Sequence, residues 1–430
     1  MFRGVSAEAV LAAARLMWPS PAAVDVHGAG VPVAAVDDTA GVDVPAGEAG
    51  RRLQYYLVPS AAAPKLVVPA GWPAAAARAA RSATAPSTAV AAARTATLAA
   101  GLRCGAAAVL LRDRLTVELP AGGAGIDEHL GELVGRQVLI GFRVGPPRAN
   151  RKPVMQLLTP RGELVGYAKL GVNALTDTLV AAEGQALARL AGADLGDVQI
   201  PVLLHSGSWQ GHSLVIQSAL PVRRTRRGAA ASRRVDAAMW AVAAAEGLSR
   251  VALAELPWWK RTCHQVAALP ASGAGQRLAA IGQALGDYGD SQLLAGAWHG
   301  DWNPGNCAVV GREVLLWDWE RYETGVPVGF DALHLSLQTA IGAGVDPLAA
   351  AGRLLTDAAA LLAGARAGDH GRLVAMLYLY GLGARYLHDD QAGAGASVGR
   401  LEGWLLPTLE QACAAAQADR PAAHLAEKGD

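Results

Sequence analysis

Cysteine is scarce and scattered. The four in this 430-residue chain, Cys104, Cys263, Cys307 and Cys413, form no C-x-x-C pair and no dense framework. That excludes a zinc ribbon, a dithiol redox motif and a disulfide-stapled scaffold, and fits thiols in a reducing cytosol. Charge is scarce too, with Asp, Glu, Lys and Arg at 17% of the chain. The 38 Lys+Arg and 37 Asp+Glu leave a formal net charge of +1. So close a balance excludes a grossly basic nucleic-acid binder and leaves only a local patch open. No uncharged apolar run of about 18 residues occurs, so no membrane span is expected. The opening MFRGVSAEAVLAAARLMWPSP carries Glu8 and Arg15 within its apolar part. It reads as a short amphipathic helix rather than a signal peptide, and the protein is expected to be cytoplasmic.

Apolar residues are plentiful at 52%, enough for a large core, and 430 residues suggest two or three domains at about 100–200 residues each. The 50 glycines and the Ala-heavy runs blunt the contrast between helix and loop, so motif spacing carries more weight than periodicity.

Residues 1–135 read as a separate mixed α/β domain that gathers no catalytic residue types. YYLVPS (55–60) and KLVVPAG (65–71) look like a strand pair. Trp72 to Gly101 reads as one or two helices broken near Pro86, and 107–119 returns to strand character. Residues 136–220 sharpen into VLIGFRV (138–144), a turn GPPRANRK (145–152), PVMQLLT (153–159) and ELVGYAKLG (163–171). A helix follows over 176–192, with Thr176 or Asp177 as N-cap and Gly192 as C-cap, then two strands within 198–221. Three strands, one helix and two strands describe the small lobe of a kinase-like fold. Residues 221–430 read as mainly helical, with a strand-rich insert at 306–320. Six arginines fall between 223 and 234, a solvated loop or a site for an anion.

The chemistry concentrates in AWHGDWNPGNCAVVGREVLLWDWERYETGVPVGFD (297–331). Asp301 follows His299-Gly300, Asn306 lies five residues on, and Asp318 twelve beyond that. CAVV and EVLLWD around Gly311-Arg312 read as a hairpin that presents Asn306 and Asp318 together. An amide oxygen and a carboxylate held there suit Mg²⁺, a hard cation. Asp301 on the preceding loop would orient an attacking hydroxyl or accept its proton. Protein kinases divide the labour this way: a loop Asp for the nucleophile, an Asn and a downstream Asp for metal.

With HGD-x4-N, DWE and GVPVGFD in this order, the stretch resembles the aminoglycoside phosphotransferase and choline kinase superfamily. The resemblance covers roughly 137–410. It implies an α+β, bilobal, protein-kinase-like fold preceded by an extra N-terminal domain. It also implies ATP and Mg²⁺ as cofactors, with nucleotide held between the lobes. Asp301 and His299 would belong to the catalytic loop, Asn306 and Asp318 would hold metal, and Asp331 would brace the loop. Lys169 in GYAKLG and Glu183 in the following helix would be the ion pair that reaches the ATP phosphates. Gly145 and Asn150 of the first hairpin turn would line phosphates, helped by Arg148, Arg151 and Lys152. Gln217 to Ala219, in VIQSAL, would offer backbone groups to adenine as the hinge. A full G-x-G-x-x-G is absent.

The acceptor is expected to be a small-molecule hydroxyl of the aminoglycoside, sugar or amino-alcohol class. From Phe330 to Asp430 there are eleven Asp/Glu and seven Lys/Arg, a mild acidic excess that would favour a cation. Trp302 and Trp319 are the aromatics best placed to wall the site. A peptide or protein acceptor in a biosynthetic pathway is the alternative, and a nucleotide-binding pseudokinase scaffold is the rival of another class. Nucleic acid and membrane are not expected partners, and a protein partner through residues 1–135 is open.

Overall fold

The computed structural model describes residues 6–27, 50–82, 89–106, 109, 111–222, 225, 228–270, 273–363 and 370–418. The chain divides into two compact units, one of residues 1–184 with 201–221, the other of 185–200 with 222–430.

The first unit is built on one antiparallel sheet. Its strands are β1 (Ala23–His27), β2 (Arg51–Val58), β3 (Leu66–Pro69), β4 (Arg114–Leu119), β5 (Leu139–Val144), β6 (Pro153–Leu158), β7 (Leu164–Leu170), β9 (Leu203–Trp209) and β10 (His212–Ser218). They lie in the order β1-β4-β2-β3-β5-β6-β7-β10-β9. The two runs 55–60 and 65–71 pair as expected, with Tyr56 opposite Val68. Helices α1 (Ala7–Met17), α2 (Pro73–Ser82), α3 (Ala89–Arg103), α4 (Ile126–Leu133) and α5 (Ala174–Leu190) accompany the sheet. Ser6 caps α1 through its Oγ, which accepts from Ala9 N at 3.3 Å, and Ala9, Val10, Ala13, Ala14 and Met17 form the buried face.

β5, β6, β7, α5, β9 and β10 follow in the expected order, and the sheet does not break at the boundary expected at 135. β3 pairs with β5, placing Val67 opposite Phe142, so the N-terminal strands extend the same sheet. The reason lies in the core. Trp18 and Tyr55 from before that boundary pack against Phe142 from after it, each with a ring-centroid separation of 6.3 Å. One cluster of buried residues takes in Met17, Trp18, Leu57 and Leu115 along with Ile140, Met155, Leu157 and Ile216. Neither half would close that core alone.

The start of α5 also differs from expectation. Asn173 Oδ1 accepts from Thr176 N at 2.9 Å, and Thr176 Oγ1 accepts from Asn173 N at 3.0 Å, a reciprocal cap that starts the helix earlier. Asp177 is spent elsewhere: it accepts from Ser213 N at 2.8 Å and lies 3.0 Å from His212 Nδ1. That ties the first turn of α5 to β10. Gly192 takes the left-handed conformation, φ +87°, just beyond the helix.

The second unit is mainly helical, with α6 (Ala229–Ala244), α7 (Pro257–Ala267), α8 (Gly273–Gly286), α9 (Phe330–Gly342), α10 (Pro347–Thr356), α11 (Ala358–Leu361), α12 (Gly371–His388) and α13 (Leu405–Ala418). The 306–320 insert is the expected hairpin, β13 (Cys307–Val310) against β14 (Glu313–Leu316), to which β8 (Val198–Gln199) adds in parallel. A second small sheet, β11 (Ser249–Ala252), β12 (Gln292–Trp298) and β15 (Glu323–Pro327), was not expected. Its strands are short and lie far apart in sequence. The core around α12 buries Leu377, Tyr378, Leu379 and Tyr380 with Leu278, Leu333 and Leu405. Of the arginine run, Arg223, Arg224, Arg226 and Arg227 lie outside the described residues, while Arg234 donates to Arg312 O at 3.1 Å. No helix among the described residues is long and apolar enough to cross a membrane.

Candidate active site

In the first unit, Lys169 sits near the end of β7 between Val154 of β6 and Val215 of β10. Glu183 lies midway along α5. The Lys169 ammonium meets both carboxylate oxygens, at 2.7 and 2.6 Å, and the two side chains are 7% and 0% exposed. A strand lysine sealed this deeply by its partner cannot swing into solvent. Removing one partner would strand a buried charge, a loss of about 3–5 kcal/mol.

The hairpin turn 145–152 joins β5 to β6. Gly145 has open space where a side chain would be, and Asn150 is half-buried. Lys152 is buried rather than an exposed cation. Gln217, expected at the hinge, lies within β10. It pairs on both sides, opposite Tyr167 and Leu203, inside the sheet. Its side chain is 4% exposed, with Oε1 finding no hydrogen-bond partner among the described residues. Ala219 is the first residue beyond β10 and therefore the first off that ladder.

In the second unit, the loop after β12 carries Asp301 and is fixed from several directions. Asp331, in the first turn of α9, accepts from His299 N at 2.8 Å and Gly300 N at 3.1 Å. Gly300 O accepts from Arg385 Nη1 of α12 at 2.7 Å. Gly300 has φ +83°, and a Cβ there would lie 2.2 Å from Arg321 O. Only glycine meets both conditions.

His299, expected among the catalytic residues, is wholly buried and faces inward. Its Nδ1 accepts from Asp301 N at 3.2 Å, which leaves Nε2–H to donate to Trp317 O at 3.1 Å. Burial drives its pKa down to about 4, against smaller opposing pulls from Asp301 and Asp318. It is a neutral strut that positions the loop and presents neither nitrogen to a substrate. Trp302 and Trp319 are likewise wholly buried and do not wall an open site. Trp319 packs edge-on to His299 at 4.7 Å between centroids.

The Asp301 carboxylate is held by amides. Asn306 Nδ2 donates to its Oδ2 at 2.9 Å and its carbonyl at 3.0 Å, and Asn303 Nδ2 donates to Oδ1 at 3.2 Å. His334 Nε2 of α9 lies 3.2 Å from Oδ1. Burial pushes the Asp301 pKa up, but the hydrogen bond from His334, with Arg385, outweighs it and holds the carboxyl below its usual value. Asp301 is therefore ionised, as a proton acceptor must be. Burial acts with less opposition on Asp331 and raises it to about 7, despite the two backbone N–H groups.

Asn306 spends its nitrogen on Asp301, so its amide oxygen is the atom it can offer a cation. Asp318 follows β14 in a left-handed conformation, φ +75°, uncommon outside glycine and a form of strain that gathers at functional sites. A carboxylate oxygen of Glu320 lies within 4.8 Å of one from Asp318. Two carboxylates and an amide are hard oxygen donors that fit Mg²⁺. Glu320 was visible in DWE without an assigned role. Asn303 stands in the same loop as Asp301 and was passed over. His334, Tyr378 and Arg385 sit 33, 77 and 84 residues beyond Asp301, and nothing local marks them. Elsewhere in the second unit, a depression of about 630 Å³ is lined by Lys260, Arg261, His264 and His388 among others, a basic rather than an acidic surface. Lys260 and Arg261 pair there with Glu255 and Glu323.

No protein-family model matches the chain, and no curated protein matches it. Among solved structures it is similar to a protein described as a fructosamine-3-kinase from Haemophilus somnus 129PT, at 14% identity over 67% of this chain and 96% of that one, TM-score 0.43. It is similar to a thermostable mutant of aminoglycoside phosphotransferase APH(4)-Ia, at 13% identity over 67% and 99%, TM-score 0.46. A glucosamine kinase in complex with glucosamine, ADP and phosphate aligns at 18% identity over 70% and 89%, TM-score 0.39.

Proposed function

We propose that the protein is an ATP- and Mg²⁺-dependent phosphotransferase that moves the γ-phosphoryl group to a hydroxyl of a small molecule. The observation that carries this reading is the Asp301 carboxylate, which accepts through Oδ2 from Asn306 Nδ2, five residues on, at 2.9 Å. One group takes a proton while the other keeps an oxygen for metal. Lys169, steadied by Glu183, engages the nucleotide phosphates as a fixed cation. Asn306 and Asp318 hold Mg²⁺, with Glu320 as a further donor. When bound, the ion neutralises charge on the transferred phosphoryl group. Asp301 orients the acceptor hydroxyl and takes its proton as the new P–O bond forms. The chain's contribution is positioning and charge, which suits a loose phosphoryl-transfer transition state.

The test is Mg²⁺-dependent nucleotide turnover against pooled aminoglycosides, sugars and amino alcohols, wild type beside Asp301→Asn. A pool should raise turnover in wild type and not in the variant, while both bind nucleotide alike. Equal turnover in the two would remove Asp301 from the chemistry.

A further inference from the structure

Behind Asp301 runs a buried chain of donors that the phosphotransfer reading leaves unused. His334 lies three residues beyond Asp331 on α9, one turn along the same face, and is 1% exposed. Its Nε2 is 3.2 Å from Asp301 Oδ1, and its Nδ1 is 2.9 Å from the Tyr378 hydroxyl on α12. Tyr378 is also 1% exposed.

The hydrogens in this chain follow from chemistry. Both Asp301 oxygens already accept from amide N–H groups, Oδ1 from Asn303 and Oδ2 from Asn306, so toward His334 the carboxylate is an acceptor, and His334 Nε2 carries a proton and donates. Burial lowers the His334 pKa, against the pull of Asp301, and keeps the ring neutral; Nδ1 is then an acceptor. Burial raises the Tyr378 pKa well above its usual value, so its O–H is intact and donates to Nδ1. Every hydrogen points toward Asp301. Arg385 on α12 and Asp331 on the helix of His334 itself are the other charged groups felt along this chain.

We propose that Tyr378 and His334 are positioning residues that lock Asp301, occupy its Oδ1, and leave Oδ2 as the oxygen that receives the acceptor's proton. The lone-pair count supports the choice. Oδ1 already takes His334 and Asn303, each at 3.2 Å, whereas Oδ2, among the described residues, takes Asn306 alone and keeps one acceptor direction open. In the transfer, the acceptor O–H bond breaks and its proton moves to Oδ2. The acceptor oxygen bonds to phosphorus, and the bond from phosphorus to the departing nucleoside diphosphate breaks. The proton on Oδ2 then leaves to solvent. His334 keeps its Nε2 proton throughout. It acts only through Asp301.

The inference rests on the phosphotransfer reading, so it needs one readout that does not depend on turnover. The ¹⁵N spectrum of the histidine-labelled full chain supplies it. Wild type should show His334 as the neutral Nε2–H tautomer, and Tyr378→Phe should lose that fixed state. In turnover, His334→Leu should lower kcat about 100-fold, the scale of a misplacement of about 1 Å, with KM for nucleotide within about twofold. His334→Gln keeps a donor at the Nε2 position and should recover at least about tenfold of that loss. A merely structural histidine would lower folded yield in both variants and would not sort them by donor. An Nδ1–H tautomer in wild type overturns the proposal. So does unchanged kcat in His334→Leu, or His334→Gln as slow as His334→Leu when both are folded. Full activity in Asp301→Asn together with the Nε2–H tautomer would instead fault the phosphotransfer reading and leave the hydrogen-bond chain standing.

Discussion

Gly300→Ala is the smallest change that tests how the Asp301 loop is held. Two separate costs arise. The first is conformational: an L-residue in the left-handed region loses about 1–2 kcal/mol. The second is contact. The new Cβ would lie 2.2 Å from Arg321 O, 2.7 Å from Arg321 Cβ and 2.8 Å from Arg321 C. Two of these three atoms are backbone, so no rotamer relieves the overlap. Either loop must move by about an ångström, and forcing an atom into packed structure costs about 1–3 kcal/mol. The sum is about 2–5 kcal/mol. Gly300 cannot shift freely, because its N–H is bound by Asp331 and its carbonyl by Arg385. Displacement therefore passes to the next residue, Asp301, and kcat should fall about 100-fold. Gly311 supplies the control. It has φ +64° at the tip of the β13–β14 hairpin and nothing within 4 Å of a Cβ. Gly311→Ala should cost only the conformational part and leave kcat alone. The assay is urea unfolding followed by tryptophan fluorescence, beside turnover of the folded protein. Equal losses of stability in the two variants would refute the contact argument. Full activity in Gly300→Ala would refute the claim that this glycine places Asp301.

Three further outcomes are expected. Lys169→Met and Glu183→Leu should each cost about 3–5 kcal/mol, while the double variant should cost less than their sum because no lone charge stays buried; a thermodynamic cycle reads the coupling, and additive losses would deny it. Acid should act on the second unit through two buried groups of opposite sign. His299, depressed to about 4, makes the fold lose stability as pH falls below about 6.5. Asp331, raised to about 7, contributes stability that is full below about 3.8 and is lost as pH rises through about 7. Asp331→Asn removes the second alone, so its urea midpoint should fall more steeply than that of wild type between about pH 7 and pH 5; parallel slopes would exclude Asp331 as a titrating group. A chain starting at residue 136 would uncover the edge of β5 and the core around Phe142, Ile140 and Leu157. It should aggregate, and a monodisperse, active product by light scattering would show that the N-terminal strands are dispensable.

What could be read in the sequence was what neighbouring residues decide. Asp301, Asn306 and Asp318 fall within eighteen residues, and the spacing predicts a loop followed by a hairpin that presents Asn306 and Asp318 together; the structure also puts the Asn306 amide on the Asp301 carboxylate. Lys169 and Glu183 are fourteen apart, with a turn between strand and helix, and needed only the order of elements. The sheet runs across the boundary expected at 135, because strand pairing there joins residues far apart in sequence. A strand pair such as 55–60 with 65–71 says nothing about which third strand will cover its edge, and here that strand is β5.

The roles of His299 and His334 show where residue type stops being informative. Both are histidines near Asp301, and the one two residues away in sequence is the natural choice for chemistry. Its geometry spends both nitrogens on backbone groups, at Asp301 N and Trp317 O. The distant one puts its Nε2 on the Asp301 carboxylate itself. A tight turn favours this division. In HGD the backbone between His299 and Asp301 reverses through a glycine at φ +83°, so the preceding side chain folds back under the loop. The aspartate side chain is then left to Asn303 and Asn306 of its own loop and to His334, which arrives from another element. His334 comes from α9 and its own partner Tyr378 from α12, and the contact of those helices is set by the packing of Leu333, Phe330 and Tyr378 in one core. Such a contact depends on where two helices cross, a long-range property that spacing along the chain does not encode.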